Sequence, residues 1–341
     1  PFISGVFNSA VKAPILTASL SGAGVGSIAV TYAGSGFSAT PEIVIDFPTE
    51  GDDQAFAYCT LNGSGGIASV VLKDENNNTV STSGSGYDAA PSVSVVGGPH
   101  FLKLTESGDD DEGRVFLITD NNATRLTLDI SSLVASETLD DILQDDFSVE
   151  VVPATTLGSV FGTTVAECDL KEGLPASSDY VYLWNSSRQF YVPHYFRSPG
   201  TGAYPVGWYN RLALRAGMQN DLVLLPDEGF IIGRRTNQTL TLSFDGSSSS
   251  VEKKLRLPAV NNQVVMNNPY GGDLLLAEII PTQYIGTGAN EFRPGSDEDD
   301  TQADQLYFLR PNGSSAWSRY WYESGYNDGV TTVATATAKA G

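Results

Sequence analysis

The chain has 341 residues, more than one ordinary hydrophobic core organises, so two or three domains are expected. Hydrophobic residues make up 41%, a normal globular share that excludes wholesale disorder. The formal net charge of −21 repels phosphate backbones and argues against nucleic acid as a partner, and no apolar run reaches the ~18 to 20 residues of a membrane-spanning helix.

The first predicted element is a short apolar strand, FISGVF at residues 2–7, which is followed by Pro14. No signal peptide is recognisable at Pro1, as would hold for a mature chain or for one trimmed to its ordered part. The first 16 residues are therefore read as an N-terminal strand segment.

A module rich in Gly, Ser, Ala and Val follows at residues 17–98 and contains an internal repeat. GSGFSATPEIVI (34–45) returns as GSGYDAAPSVSV (84–95), and alternating strands at 27–33 and 67–73 precede the copies. Each Gly-x-Gly predicts a tight turn with positive φ, and each Pro predicts the start of an extended strand.

From residue 99 onwards the pattern predicts one helix at about 133–145 and a series of longer strands. These strands are expected at 100–105, 114–120, 125–130, 147–152, 180–184, 189–192, 221–225, 229–235, 240–244 and 273–279. The fold class is therefore all-β, with tandem sandwich-like or barrel-like domains and at most one or two short helices.

A second duplication divides this part of the chain into a first β-domain at 99–276 and a second unit at 277–341. VVPATTLGSVFG (151–162) resembles IIPTQYIGTG (279–288), and the later motifs that begin at Asp179 and Asp304 also correspond. The second copy has no equivalent of GFIIGRR (229–235), so we expect its sheet to lack a closing strand.

Catalysis is not expected. The two histidines, His100 and His194, are accompanied by no Gly-x-Ser-x-Gly elbow and no HExxH helix. The Gly-rich run at 22–27 opens a β-repeat rather than a helix, so it does not indicate a phosphate cradle. An exported glycan-active enzyme with a pair of catalytic carboxylates is the third hypothesis. The sequence, with 40 acidic residues, points to no particular pair.

Two acidic clusters are calcium candidates, because hard carboxylate oxygens suit this ion, and no other cofactor is expected. The alternative is a pair of solvated loops, since neither cluster has the spacing of an EF-hand. The candidate ligands are Asp109, Asp111, Asp297 and Asp299. Cys59 and Cys168 allow either one long-range disulfide or two buried thiols.

Aromatic residues cluster at 180–209 and at 307–326, where they can form core, subunit contacts or platforms for sugar rings. Asn-x-Ser/Thr sequons, most of them in predicted turns, make glycans on this chain a further possibility. The six candidate asparagines are Asn62, Asn77, Asn122, Asn185, Asn237 and Asn312.

Six motifs occur in a fixed order along the chain: PFIS, HFLKLTESGDDDEGRVFLITDNNATRLTLDI, VVPATTLGSVFG, DYVYLWNSSRQFYV, LLPDEGFIIGRR and ADQLYFLRPNGSSAWSRYWY. This order resembles a large family of exported bacterial β-proteins, often with many members per genome in environmental Gram-negative bacteria. The resemblance covers roughly 1–8 and 99–325, and the module at 17–98 looks like an insertion. It implies export to the cell surface or exterior, β architecture and surface assembly, and it assigns no catalytic residue.

The leading hypothesis is a structural subunit of an extracellular filament or surface assembly, with itself as the partner. Subunits would join head to tail if the N-terminal strand filled the open edge of the second unit in the next copy. The alternative is that this strand pairs within its own chain. Its contact candidates are Phe2, Ile3, Val6 and Phe7. The runner-up is a secreted adhesin or carbohydrate-binding protein.

Overall fold

The structure is a computed structural model, and it describes most of the chain. The described residues are 5–48, 53–106, 111–133, 137–143, 147–202, 204–226, 228–236, 239–242, 262–266, 268, 274–280, 283, 285–288, 291–296, 303–309, 317–324 and 336–339.

The all-β prediction is confirmed, because most regular elements are strands in several sheets, nearly all of them antiparallel. The chain forms two compact units, residues 1–269 and 270–341. Within the described part of the larger unit the strands are β1 Ile15–Ser21, β2 Gly24–Tyr32, β3 Ile43–Ile45, β4 Phe56–Leu61, β5 Ile67–Lys73, β6 Val93–Val95, β7 His100–Leu104, β8 Val115–Asn121, β9 Leu126–Leu128, β10 Val149–Pro153, β11 Tyr180–Asn185, β12 Phe190–Arg197, β13 Gly207–Asn210 and β14 Phe230–Gly233.

The helices of the larger unit are short and capped. Thr138 caps α1 (Leu139–Ile142) in a capping box with Asp141, so the predicted helix is confirmed at its centre. A second helix, α2 (Leu157–Phe161), begins at Thr156 and was not predicted. A 3₁₀ turn follows at Leu214–Ala216.

The module is one small domain rather than two consecutive repeats. Hairpins β1–β2 and β4–β5 come from the two halves, and β3 pairs antiparallel with β6, with Val44 opposite Ser94. Because these two residues hold the same place in the repeats, the pair lies on a local twofold axis. The module has its own core around Val25, Ile45 and Ile67.

Each repeat's Gly-x-Gly turn docks on the hairpin of the other half. Phe37 donates its N–H to the Gly65 carbonyl in the β4–β5 turn, and Tyr87 donates to Ala23 in the β1–β2 turn. The four glycines of these turns have positive φ, as predicted. Both rings are buried, so the two repeats stabilise one another and neither forms a complete core alone.

The remainder of the larger unit contains two four-stranded sheets, in the orders β10-β7-β8-β9 and β13-β12-β11-β14. The second sheet has two apolar faces. One packs on α2 through Val181, Phe196 and Trp208. The other is a row of Tyr180, Tyr195 and Tyr209 that also packs against Ile15 and Tyr32 from the module.

Three strand predictions were wrong. Residues 221–225 make only one isolated bridge, Thr156 to Val223, and the described part of 240–244 is irregular. In place of a strand at 273–279, residues Leu276–Ile279 form a helix, α3, because the Glu278 carboxylate accepts the Leu275 N–H and caps the first turn. Local capping here overrides the apolar run that suggested a strand.

The C-terminal unit contains one further sheet. Its strands among the described residues are β15 Gly295–Ser296, β16 Leu306–Leu309, β17 Trp317–Ser324 and β18 Ala336–Lys339. β17 is central and pairs with all three others.

The buried carboxylate of Asp179 links the start of β11 to the end of β14. It accepts hydrogen bonds from the Lys171 N–H and from Arg234 Nε, both at 3.0 Å, and from the Arg235 N–H. Asp179 is 1% exposed, so water cannot replace these partners.

We therefore expect Asp179→Asn to lower the free energy of unfolding of the larger unit by about 3 kcal/mol, since Arg234 loses its charge partner. Urea denaturation followed by circular dichroism measures this. The exposed carboxylate of Asp120 supplies a matched control, because Asp120→Asn makes the same change of charge. Equal effects of the two substitutions would show that the Asp179 contacts contribute little.

Candidate functional site

The candidate site is the outer edge of β16 in the C-terminal unit. β16 pairs with β17 through Leu306–Tyr320 to Leu309–Trp317. On its other side no strand pairs with it among the residues that the structure describes. An edge of this kind presents unpaired N–H and C=O groups, which are a template for a further strand.

The larger unit shows what such an edge looks like when it is occupied. There β11 corresponds to β16 and β12 to β17, and β11 also pairs on its second side with β14. The β11–β14 ladder runs from Tyr180 opposite Gly233 to Leu183 opposite Phe230. Among the described residues, the side of β16 that corresponds to the β14 side of β11 is unpaired.

The equivalence of the two sheets rests on matching hydrogen bonds as well as on sequence. Asp179 donates its N–H to the Lys171 carbonyl, and its carboxylate accepts from the Lys171 N–H. Asp304 makes the same reciprocal pair with Arg293, at 2.9 and 2.8 Å. Asp179 directly precedes β11 and Asp304 lies two residues before β16, so both aspartates hold the chain where it enters the strand.

Side chains on the β16 edge are more exposed than their counterparts. Tyr307 is 46% exposed and Phe308 is 38% exposed, whereas Tyr182 and Leu183 are only partly exposed beside β14. Phe308 makes an edge-to-face contact with Tyr320 of β17, which fixes its ring on the sheet. The edge therefore offers apolar area and backbone groups together.

Two of the predicted subunit-contact residues lie against their own chain. Val6 is buried, and its carbonyl accepts the Gly98 N–H at 2.7 Å. Phe7 bridges to Gly98, and its ring contacts that of His100 at a tilted angle, with the ring centroids 4.6 Å apart. Asn121 accepts the Phe7 N–H through Oδ1. For Val6 and Phe7 the structure therefore shows the intrachain alternative, while Phe2 and Ile3 lie outside the described residues.

Asp111 is the one calcium candidate that the structure describes, because Asp109, Asp297 and Asp299 lie outside its described residues. Its carboxylate pairs with Arg114 at 2.8 Å, and Glu137 binds the same guanidinium. In the described part of the chain, no group of three His, Cys, Asp or Glu residues is placed to hold a metal ion.

Four of the six sequon asparagines are described, and all four are in or beside turns. Asn62 and Asn122 use Oδ1 to accept backbone N–H groups from Ser64 and Thr124. Asn77 has a positive φ of 64°, and Asn185 begins the turn between β11 and β12. Asn237 and Asn312 lie outside the described residues.

Both histidines are constrained by the fold. His194 is 3% exposed on β12, and burial lowers its pKa to about 4. Burial also lowers the pKa of His100, whose Nδ1 is 3.1 Å from the Gly98 carbonyl oxygen. His100 and Asp221 line an open cleft of about 390 Å³ whose other walls are mostly Val, Pro and Ala.

Cys59 and Cys168 are separate buried thiols that belong to different cores, the module core and the α2 face of the β11–β14 sheet. Burial raises the pKa of both and brings that of Cys168 to about 11. Of the two alternatives, the structure therefore shows two buried thiols and not a long-range disulfide.

The aromatic cluster at 180–209 is mostly interior. Tyr180, Tyr195, Trp208 and Tyr209 are each at most 2% exposed, so their ring faces are closed to a sugar. Exposed rings lie instead on the module, at Phe56 and Tyr58 of β4, which are 45% and 56% exposed. Sequence analysis missed this surface, although the alternation of FAYCTL, with Ala57 and Cys59 buried, carries the signal.

Comparisons with protein-family models, with curated proteins and with solved structures give no match. The family resemblance suggested by the motifs therefore stays a prediction. Within the described residues, no helix is both long and apolar enough to cross a bilayer.

The lowered pKa of His194 predicts a pH dependence of stability. Between its ordinary pKa of 6.5 and about 4, the unfolded chain binds a proton that the folded chain does not. The free energy of unfolding should therefore fall by about 1.4 kcal/mol per pH unit as the pH drops through this window.

Urea denaturation at pH 7 and pH 4.5 measures the slope, and His194→Gln removes this proton while keeping every other titrating group. The difference between the two proteins isolates His194. If both lose stability equally on acidification, the histidine does not carry the effect.

Proposed function

We propose that this chain is a structural subunit of an extracellular filament or surface assembly, joined head to tail by β-strand addition at the outer edge of β16. The single observation that carries the proposal is the contrast between β11, paired on both sides, and β16, paired only with β17 among the described residues. The extracellular setting rests on the resemblance of the motifs.

The composition of β16 supports strand addition. Natural sheets protect exposed edges with charged residues, proline or bulges. The β16 sequence, LYFL, contains no charge and no proline, and its described register has no bulge. An unprotected apolar edge costs solubility unless a partner strand covers it.

Strand addition at this edge would also be directional. A strand that fills this edge from a different surface of the next copy makes a heterologous contact. Such a heterologous contact does not close on itself as a twofold dimer does, so repetition builds an open polymer.

The proposal predicts that Phe308→Lys blocks assembly. A lysine on the edge strand places a charge where a partner strand would cover it. The concentration needed for assembly should rise at least about tenfold, which corresponds to 1.4 kcal/mol per contact. Sedimentation and negative-stain electron microscopy measure it.

Leu174→Lys is the matched control, because Leu174 is 50% exposed on a different unit and should tolerate the same charge. Wild-type protein that stays monomeric under all assembly conditions would contradict the proposed function. Polymers of Phe308→Lys that match the wild type would exclude β16 as the joint.

A second candidate function is binding of a neutral glycan on the outward face of β4–β5. Phe56 and Tyr58 lie on one face, about 7 Å apart, as alternate residues of a strand do. Beside them Thr60 and Ser69 join their hydroxyls at 2.8 Å. Flat rings next to hydroxyl groups suit a sugar chain, and the acidity of the protein disfavours an anionic one.

Replacement of both rings, Phe56→Ala with Tyr58→Ala, should therefore abolish retardation of the protein in gels that contain a neutral polysaccharide. Loss of two stacking contacts of about 1 kcal/mol each corresponds to roughly 30-fold weaker binding. Leu174→Ala controls for the loss of an exposed apolar side chain. Wild-type protein that no neutral polysaccharide retards would remove this candidate.

A further inference from the structure

The tyrosine row includes hydrogen-bond donors that no described part of the chain uses. Tyr195 on β12 is 0% exposed, and its hydroxyl has no hydrogen-bond partner among the described residues. The same holds for the buried Nε of Arg197, which follows two positions later on the same face of β12. Because buried polar groups in native proteins nearly always have partners, these two neighbouring donors point to an acceptor that the described chain does not supply.

Both donors belong to a group of polar side chains, here called the tyrosine–arginine cluster. The Arg197 guanidinium lies 5.4 Å from the centre of the Tyr204 ring, and Tyr204 packs edge-to-face on Tyr209. Every other member of the cluster acts electrostatically on the Tyr209 hydroxyl, so the polar ends of these side chains lie near one another. The members are Tyr32, Tyr195, Arg197, Tyr204 and Tyr209.

No carboxylate completes this cluster among the described residues. Arg197 forms no ion pair with any of them. The Asp221 carboxylate, which acts electrostatically on Tyr32, already accepts a backbone N–H at 2.8 Å. The Tyr209 hydroxyl donates to the Pro205 carbonyl, and burial raises the pKa of Tyr209 to about 12, so this hydroxyl keeps its proton. The cluster is therefore rich in donors and carries one uncompensated positive charge.

Two further arginines on this face add to the positive charge. The guanidiniums of Arg211 and Arg235 lie 5.8 and 5.3 Å from the centre of the Tyr180 ring, which contacts Tyr195 in the row. The chain has 40 acidic and 19 basic residues, yet no described carboxylate pairs with either guanidinium. This face is therefore locally positive in an acidic protein.

We propose that the tyrosine–arginine cluster binds a small oxyanion, a carboxylate or a phosphate group, whose oxygens accept from the Tyr195 hydroxyl and from Nε of Arg197. A guanidinium suits this class of ligand, because its N–H groups form a planar fork that matches two oxygens. An anion also accepts hydrogen bonds from several donors and donates none, as a cluster of buried donors requires. Arg197 is partly exposed, so the ligand can reach the cluster from solvent.

A bound oxyanion would lie where the module meets the sheet. Tyr32 belongs to β2 of the module, whereas the other members lie on β12, on β13 and between these two strands. An anion that binds this folded arrangement and not the unfolded chain stabilises the protein by mass action. The site belongs to the larger unit and β16 to the C-terminal unit, so the test of this proposal needs no assembled filament.

Thermal unfolding of the full chain with added sodium phosphate or sodium acetate tests the site. Sodium chloride keeps the ionic strength constant, and circular dichroism follows the transition. We expect the unfolding midpoint of the wild type to rise with at least one of the two anions, and the larger rise identifies phosphate or carboxylate as the better ligand. Isothermal titration calorimetry with the same anions measures their dissociation constants.

Tyr195→Phe separates a ligand site from a structural role. The substitution removes a buried hydroxyl and keeps the ring, so in chloride alone the variant should be at least as stable as the wild type. Its affinity for the anion should fall at least about tenfold, the effect of one hydrogen bond to a charged group. Arg197→Lys keeps the charge but loses Nε and should weaken binding to a similar extent.

Arg188→Lys is the matched control, because Arg188 is exposed in the turn between β11 and β12 and should leave anion binding unchanged. A wild type that neither anion stabilises would overturn the proposal, as would equal affinities of the wild type and Tyr195→Phe. A Tyr195→Phe protein that is less stable than the wild type in chloride alone would show that the hydroxyl already has a partner, such as ordered water, and would also contradict the proposal.

Discussion

Backbone pairing on both sides of β11 is the interaction on which the larger unit depends. With β12 on one side and β14 on the other, every peptide group along the centre of this strand has a partner, and the sheet can separate two apolar layers. The Asp179 carboxylate joins the start of β11 to the end of β14. Because alternate side chains of each strand point to opposite faces of the sheet, one apolar layer then forms on each face. One side packs on α2, and the other forms the tyrosine row against the module.

The C-terminal unit repeats this plan with one of the two neighbours missing from its described residues. The reciprocal hydrogen bonds between Asp304 and Arg293 hold the start of β16 as those between Asp179 and Lys171 hold the start of β11. What differs is the exposure of Tyr307 and Phe308. A unit that keeps these hydrogen bonds, while no described strand pairs with the outer side of β16, could accept a further strand, and this is the physical basis of the proposed assembly.

Much of this architecture could be predicted from sequence, because strands and turns leave local signals. The Gly-x-Gly turns, the proline before β3 and β6, and the duplicated Asp-x-x-Tyr motif each specify backbone geometry within a few residues. The exchange of turns between module halves could not be predicted, since it is a contact between residues 28 to 64 positions apart. The helix at Leu276–Ile279 could not be predicted either, because the same apolar run is compatible with a strand and with a helix, and the Glu278 side chain caps the helix.

Part of the candidate site could likewise be predicted from the sequence, and part could not. The sequence shows no second GFIIGRR motif at 277–341, and among the described residues no strand pairs with the outer side of β16. The intrachain contacts of Val6 and Phe7 could not be predicted, because Phe7 is held by Asn121, more than 110 residues away in the sequence. The burial of Tyr180 and Tyr209 likewise depends on the module covering one face of the sheet, which no local pattern encodes.

The module's points of entry and exit lie side by side. The Asn8 N–H donates to the Gly98 carbonyl at 3.2 Å, so the backbone shortly before the module contacts the module's last residue. Residues 9–97 therefore form a segment whose two ends lie next to each other, as the ends of an inserted domain do. Changes within this segment can therefore alter its length without shifting the register of β7, provided that the side of the β1–β2 hairpin that covers the tyrosine row is kept.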